Sequence, residues 1–118
     1  MMKTLGIVAA LLLPAGMAAA EGWTISDLGS EAEREICMNK AAATFSSFAM
    51  KQGIEEVVGQ SEWTVAGYDL RGSGIDSIII CPIEGGLVAP FLLTYSSDND
   101  ADARQIIHDR VVDAWNSQ

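Results

Sequence analysis

The chain has 118 residues, with 7 lysines and arginines against 16 aspartates and glutamates, one histidine and two cysteines, for a formal net charge of −9. That length bounds it to one small domain. Its acidity argues against nucleic acid and against an anionic membrane surface as partners, because both would repel it.

The N-terminus, MMKTLGIVAALLLPAGMAAAEGW, reads as an export signal. Lys3 supplies a positive start, Leu5 to Leu13 an apolar run broken by Pro14 and Gly16, and Ala18 and Ala20 the small residues ahead of a cut after Ala20. The run is shorter than the ~20 apolar residues a bilayer span needs. No stable membrane anchor is therefore expected after cleavage, and the residue directly after the cut is Glu21 rather than a lipid-carrying cysteine. Residues 1–20 are read as signal peptide and residues 21–118 as a single small globular domain, with 6 basic and 16 acidic side chains and a net charge of −10. The localisation that follows is periplasmic or extracellular.

Residues 21–29 (EGWTISDLG) are expected to be a short lead-in. Ser30-Glu31-Ala32-Glu33 has the form of a capping box, with Ser30 as N-cap and Glu33 reaching back. Cys37, Ala41, Phe45 and Phe48 then recur at helical spacing. Gly53 is placed to end that helix in a left-handed conformation, with Ile54 folding back on its last turn. The spacing predicts a first helix over about 31–52. IEEVVGQ (54–60) fits either a short strand or an irregular connection.

Three strands are expected next: 62–70, 75–83 and 87–95. Gly85-Gly86 suits a two-residue hairpin turn, since both positions tolerate positive φ. That turn pairs Glu84 with Leu87 and Ile83 with Val88, and it fixes the register upstream. One face then collects Ile79, Cys81, Ile83, Val88, Pro90 and Leu92; the other collects Ile78, Ile80, Pro82, Ala89, Phe91, Leu93 and Tyr95. If Leu70 pairs with Ile75 across the loop, Trp63 and Val65 join the second face. Pro82 cannot donate to a central ladder, so pairing to the first strand should stop near Cys81. Beyond Asp98 or Asp100 as N-cap, Ala103, Ile106, Ile107, Val111, Ala114 and Trp115 trace an amphipathic helix. The fold class expected is α+β in the order α-β-β-β-α: a three-stranded antiparallel meander packed with two amphipathic helices.

Cys37 and Cys81 form an even pair in an exported chain, 44 positions apart, and read as one disulfide. A loop of that size contributes about 4 kcal/mol in the chain-entropy view. A catalytic redox pair would want C-x-x-C, which is absent. Because both sheet faces are apolar, either the helices cover opposite faces or both cover one face and a partner covers the other.

Few residues offer chemistry. Asp98, Asp100 and Asp102 have the spacing that opens a calcium loop, but Ala103 stands where the loop wants glycine and no glutamate closes it, so the preferred reading is an acidic turn capping the helix. His108 sits at the edge of the last helix's apolar stripe and is expected to be solvated; no nucleophile elbow accompanies it. RGSG (71–74) reads as a turn rather than a phosphate cradle. Asp69 and Asp76 flank the first hairpin loop, where two close carboxylates would share a proton or simply frame a turn. Trp63, Tyr68 and Trp115 are expected in the core or at its rim. No metal and no cofactor is implied. The expectation is a small secreted, non-enzymatic binding or accessory protein acting on a protein partner or a second copy through an apolar sheet face. The alternatives are a hydrolase or cation-dependent enzyme using Asp69, Asp76 or His108, and a calcium-binding module using Asp98, Asp100 and Asp102.

Overall fold

A computed structural model describes residues 22–71, 74–97 and 100–118. In chain order they form β1 (Gly22–Asp27), α1 (Arg34–Gln52), β2 (Val58–Gln60), β3 (Thr64–Gly67), β4 (Ile75–Ile80), β5 (Ile83–Glu84), β6 (Leu87–Val88), β7 (Phe91–Ser96) and α2 (Ala101–Asn116). The class is mixed α+β, and Cys37 and Cys81 are joined in a disulfide. The expected element order needs correction. A strand precedes the first helix, residues 58–60 are another, and the second and third predicted strands are each cut in two at a proline. Five strands make one antiparallel sheet in the order β1-β7-β4-β3-β2, and β5 and β6 pair separately.

The lead-in is β1, with Trp23 opposite Tyr95 and Ile25 opposite Leu93. Its alternation is inverted: Thr24 and Ser26 point inward while Trp23 and Ile25 point to solvent. The capping box does not form either. Glu31 is spent on a bridge to Val88, with N–H···O bonds of 2.9 and 3.0 Å in the two directions. Its carboxylate meets Lys40 Nζ at 3.1 Å. The helix starts at Arg34, and Glu33 at the N-cap makes no side-chain cap bond. The far end is as read: Gly53 has φ 69°, and the Ile54 amide reaches back to Ala49 O at 3.0 Å. That is a Schellman closure, satisfying carbonyls the helix leaves open.

The Gly85-Gly86 hairpin pairs Ile83 with Val88 and Glu84 with Leu87, and the same register continues from Ile80↔Phe91 to Ile75↔Ser96. The ladder breaks at Pro82 and Pro90, which lack N–H donors. Beyond that break β5 and β6 leave the sheet, so Ile83 is 58 % exposed while Ile79, Cys81, Val88 and Leu92 are buried. Pairing to β3 ends at the bond from Cys81 N to Trp63 O, 2.8 Å.

The first hairpin departs from its expected register by one residue. Leu70 N does bond Ile75 O at 2.9 Å, yet Gly67 lies opposite Ser77. Three steps on one arm match two on the other, which is a β-bulge. Asp69 supplies the left-handed residue such a bulge uses, with φ 56°. A slip of one residue exchanges the faces of a strand, so Val65 points inward and is fully buried instead of joining the outer face.

Both helices lie on the same face. Phe45 of α1 packs so closely over Gly67 that a Cβ there would sit 2.5 Å from its ring. Ile107, Val111 and Trp115 of α2 join Cys37, Phe45, Phe48, Val65, Ile75, Ile79 and Leu92 in one core. The disulfide links α1 to the end of β4 inside that core, across a Cα separation of 6.2 Å. Ile78 and Ile80 therefore do not lie under the last helix.

Candidate functional site

The outer face of the sheet is a grid set by the register. Trp23, Tyr95 and Asp76 stand side by side on β1, β7 and β4. Tyr68, which follows Gly67 opposite Ser77, extends this row. The next row is Ile25, Leu93, Ile78 and Ala66, and the third is Asp27, Phe91, Ile80 and Thr64. With strands about 4.8 Å apart and same-face residues about 6.8 Å apart along each strand, the grid spans about 14 Å by 14 Å. Trp23, Ile25 and Tyr68 are 59, 63 and 42 % exposed.

The grid has relief. The rings of Trp23 and Tyr95 lie 4.7 Å apart at 44°. The ring of Tyr68 lies across β2, so that a Cβ on Gly59 would come within 3.1 Å of it. Between these aromatic walls is an open depression of about 180 Å³, floored by Ala66, Ile78 and Leu93 and bordered by Asp76. A larger cleft, about 280 Å³, separates the C-terminal turns of α1 and α2. The hydrogen bond from Arg110 Nη1 to Gln52 Oε1, 3.1 Å, joins those two helices.

The covered face holds the opposite surprise. His108, expected in solvent, is fully buried. Its Nε2 lies 2.7 Å from Ser26 Oγ and its Nδ1 2.7 Å from Thr94 Oγ1, which in turn is 2.7 Å from Ser77 Oγ. One turn earlier, Arg104 donates to Thr24 Oγ1 and Ser96 Oγ. The sheet is polar here on its inner side, and that is why α2 can bury a histidine. Burial holds the imidazole below its ordinary value, against an opposing pull from the Asp109 carboxylate. A serine at this distance from a histidine is half of a nucleophile–base pair. The ring's far nitrogen meets a threonine hydroxyl, which cannot supply the negative charge that stabilises an imidazolium. The hydroxyls and the ring complete one another's hydrogen bonds, and among the described residues no buried side-chain N or O is left without a partner.

Asp76 Oδ1 accepts the Asp69 amide at 3.0 Å, so the contact seen between the loop aspartates runs from backbone to carboxylate. Asp98 lies outside the described residues. Asp100 caps α2, its Oδ1 accepting from Ala103 N at 2.9 Å, and its Oδ2 lies 3.1 Å from Arg71 Nη1. Asp102 is exposed in the helix's first turn. Among the described residues, no group of three or more His, Cys, Asp or Glu is placed to hold a metal ion, and no helix is long and apolar enough to cross a membrane. Trp115 is in the core, while Trp63 is half-exposed with the Arg34 guanidinium 4.2 Å over its ring. Sequence reading missed the Trp23–Tyr95–Asp76–Tyr68 row. The signal was the strict alternation of Trp23, Thr24, Ile25 and Ser26. Protein-family models, curated proteins and solved structures were compared with the chain, and none matched.

Proposed function

We propose that the chain is a small, non-enzymatic binding or accessory protein that works through the outer face of its sheet. Its place is the periplasm or the cell exterior, reached by cleavage of residues 1–20. The disulfide fits an oxidising compartment. One observation carries the proposal. Both helices are used up on the inner face, and the outer face sets Trp23, Ile25, Tyr68, Ile78, Phe91 and Leu93 together with neither helix over them. Contiguous apolar surface of this kind marks interaction sites in soluble proteins. The occupant is another polypeptide, because the grid is broad and its depression is open, whereas small ligands are held in enclosed pockets.

The test compares the domain with a Trp23→Ser/Ile25→Ser variant. Both positions are surface ones, so the variant should melt within a few degrees of the parent. The parent should bind an apolar fluorescent dye and crosslink in its native compartment to a protein that the variant no longer captures. Light scattering distinguishes a foreign partner from a second copy. A strictly monomeric parent that ignores the dye, with a crosslinking pattern identical to the variant's, would remove the proposal.

A further inference from the structure

We infer that the centre of this face is a subsite for one cationic side chain, a lysine or arginine that the protein partner presents from an otherwise apolar surface. The inference rests on the reading of the outer face as a recognition surface and adds its chemistry. Asp76 brings a carboxylate into a row that is otherwise aromatic: Trp23 and Tyr95 on one side, Tyr68 on the other. Two strand spacings, about 10 Å, separate Tyr95 from Tyr68 with Asp76 midway. Trp23, Tyr68, Asp76 and Tyr95 line the same depression, so a cation seated on the carboxylate would be bordered by aromatic rings, whose faces attract cations.

The carboxylate is available for this. Its Oδ1 takes the Asp69 amide, and an ionised carboxylate has further lone pairs to offer. Among the described residues no lysine or arginine pairs with it. Once the partner's apolar surface covers the floor of Ala66, Ile78 and Leu93, water is excluded and the attraction strengthens. The formal charge of −9 draws cations from a distance.

Size and shape favour a tethered side chain over a free molecule. The depression is about 180 Å³ and open, below the ~300–1,000 Å³ usual for small-ligand pockets. A side chain delivered on a larger apolar contact takes the rest of its affinity from the surrounding grid, as a buried arginine anchor does in other interfaces. The chain already uses this chemistry on itself, with Arg34 over Trp63.

The experiment is a titration of the ¹⁵N-labelled domain, following the Trp23 indole N–H and the Tyr68 and Asp76 amides. The probes are acetyl-arginine methylamide, acetyl-lysine methylamide and the uncharged isostere acetyl-citrulline methylamide. Arginine and lysine should shift these signals saturably, and citrulline should bind about fivefold more weakly. Asp76→Asn keeps an oxygen for the Asp69 amide, so it should fold; it should bind arginine about fivefold more weakly and leave citrulline unchanged. Equal binding of arginine and citrulline, or arginine binding that survives Asp76→Asn, overturns the subsite. Either result leaves dye binding by the face intact, so its failure is distinct from that of the recognition surface. Self-association that persists in Asp76→Asn would overturn it too, by showing the face filled without a cation.

Discussion

The two faces of the sheet differ in a way opposite to the usual rule. At the β1–β7–β4 end, the face buried under α2 presents Thr24, Ser26, Ser77, Thr94 and Ser96, and the face turned to solvent presents Trp23, Ile25, Ile78, Leu93 and Tyr95. Hydropathy alternation therefore identifies the two sides of a strand without saying which is inside. That is decided by what lies opposite. Here His108 and Arg104 supply hydrogen bonds that make a hydroxyl-lined interior stable.

The sharpest way to break the comparison is to truncate neighbours on opposite faces. Ile79→Ala should cost about 2–4 kcal/mol in chemical denaturation, because it opens a cavity under the helices. Ile78→Ala, one residue away, should cost less than about 1 kcal/mol; equal costs would mean both faces are covered. Replacing Cys37 and Cys81 together by alanine should remove about 2–4 kcal/mol, since the crosslink is on the buried face. Thr94→Val keeps the side-chain shape but strips a partner from His108 Nδ1 and from Ser77 Oγ. It should cost about 1–3 kcal/mol, whereas Thr64→Val on the outer face should be close to neutral.

The smallest effect is a pH dependence. The His108 pKa is lowered in the folded state. As pH falls through about 6.5 the unfolded chain takes up a proton that the native state refuses, so stability declines there and is regained at higher pH. His108→Gln should lack this contribution. An identical stability slope in the two proteins below pH 6.5 would contradict it.

Much of this architecture was legible, and the failures have physical causes. The disulfide, the Gly53 helix stop, the Asp100 cap and the β4–β7 register follow from local chemistry: cysteine pairing, left-handed glycine, a carboxylate at a helix start, a two-residue turn. The β3 register was misplaced because Asp69 inserts an extra residue, a departure that strand alternation alone does not announce. β1 was overlooked because its partner, β7, lies more than sixty positions away, and nothing local announces the pairing. The capping box failed because Glu31 pairs with Val88, a partner more than fifty positions away. Of the outer face, Ile78, Ile80, Phe91, Leu93 and Tyr95 were grouped correctly, and Asp76 and Tyr68 were noticed separately. Only the register on both sides of β4 brings them into one row with Trp23.

The pairing of β1 with β7 also has a consequence in time. Gly22 lies beside Ser96, so β1 waits for β7, the last strand among the described residues. A chain delivered from its N-terminus can close the helix and the Cys37–Cys81 crosslink earlier, but its sheet stays unfinished until residue 96 has arrived. Contacts this distant in sequence make for slow assembly.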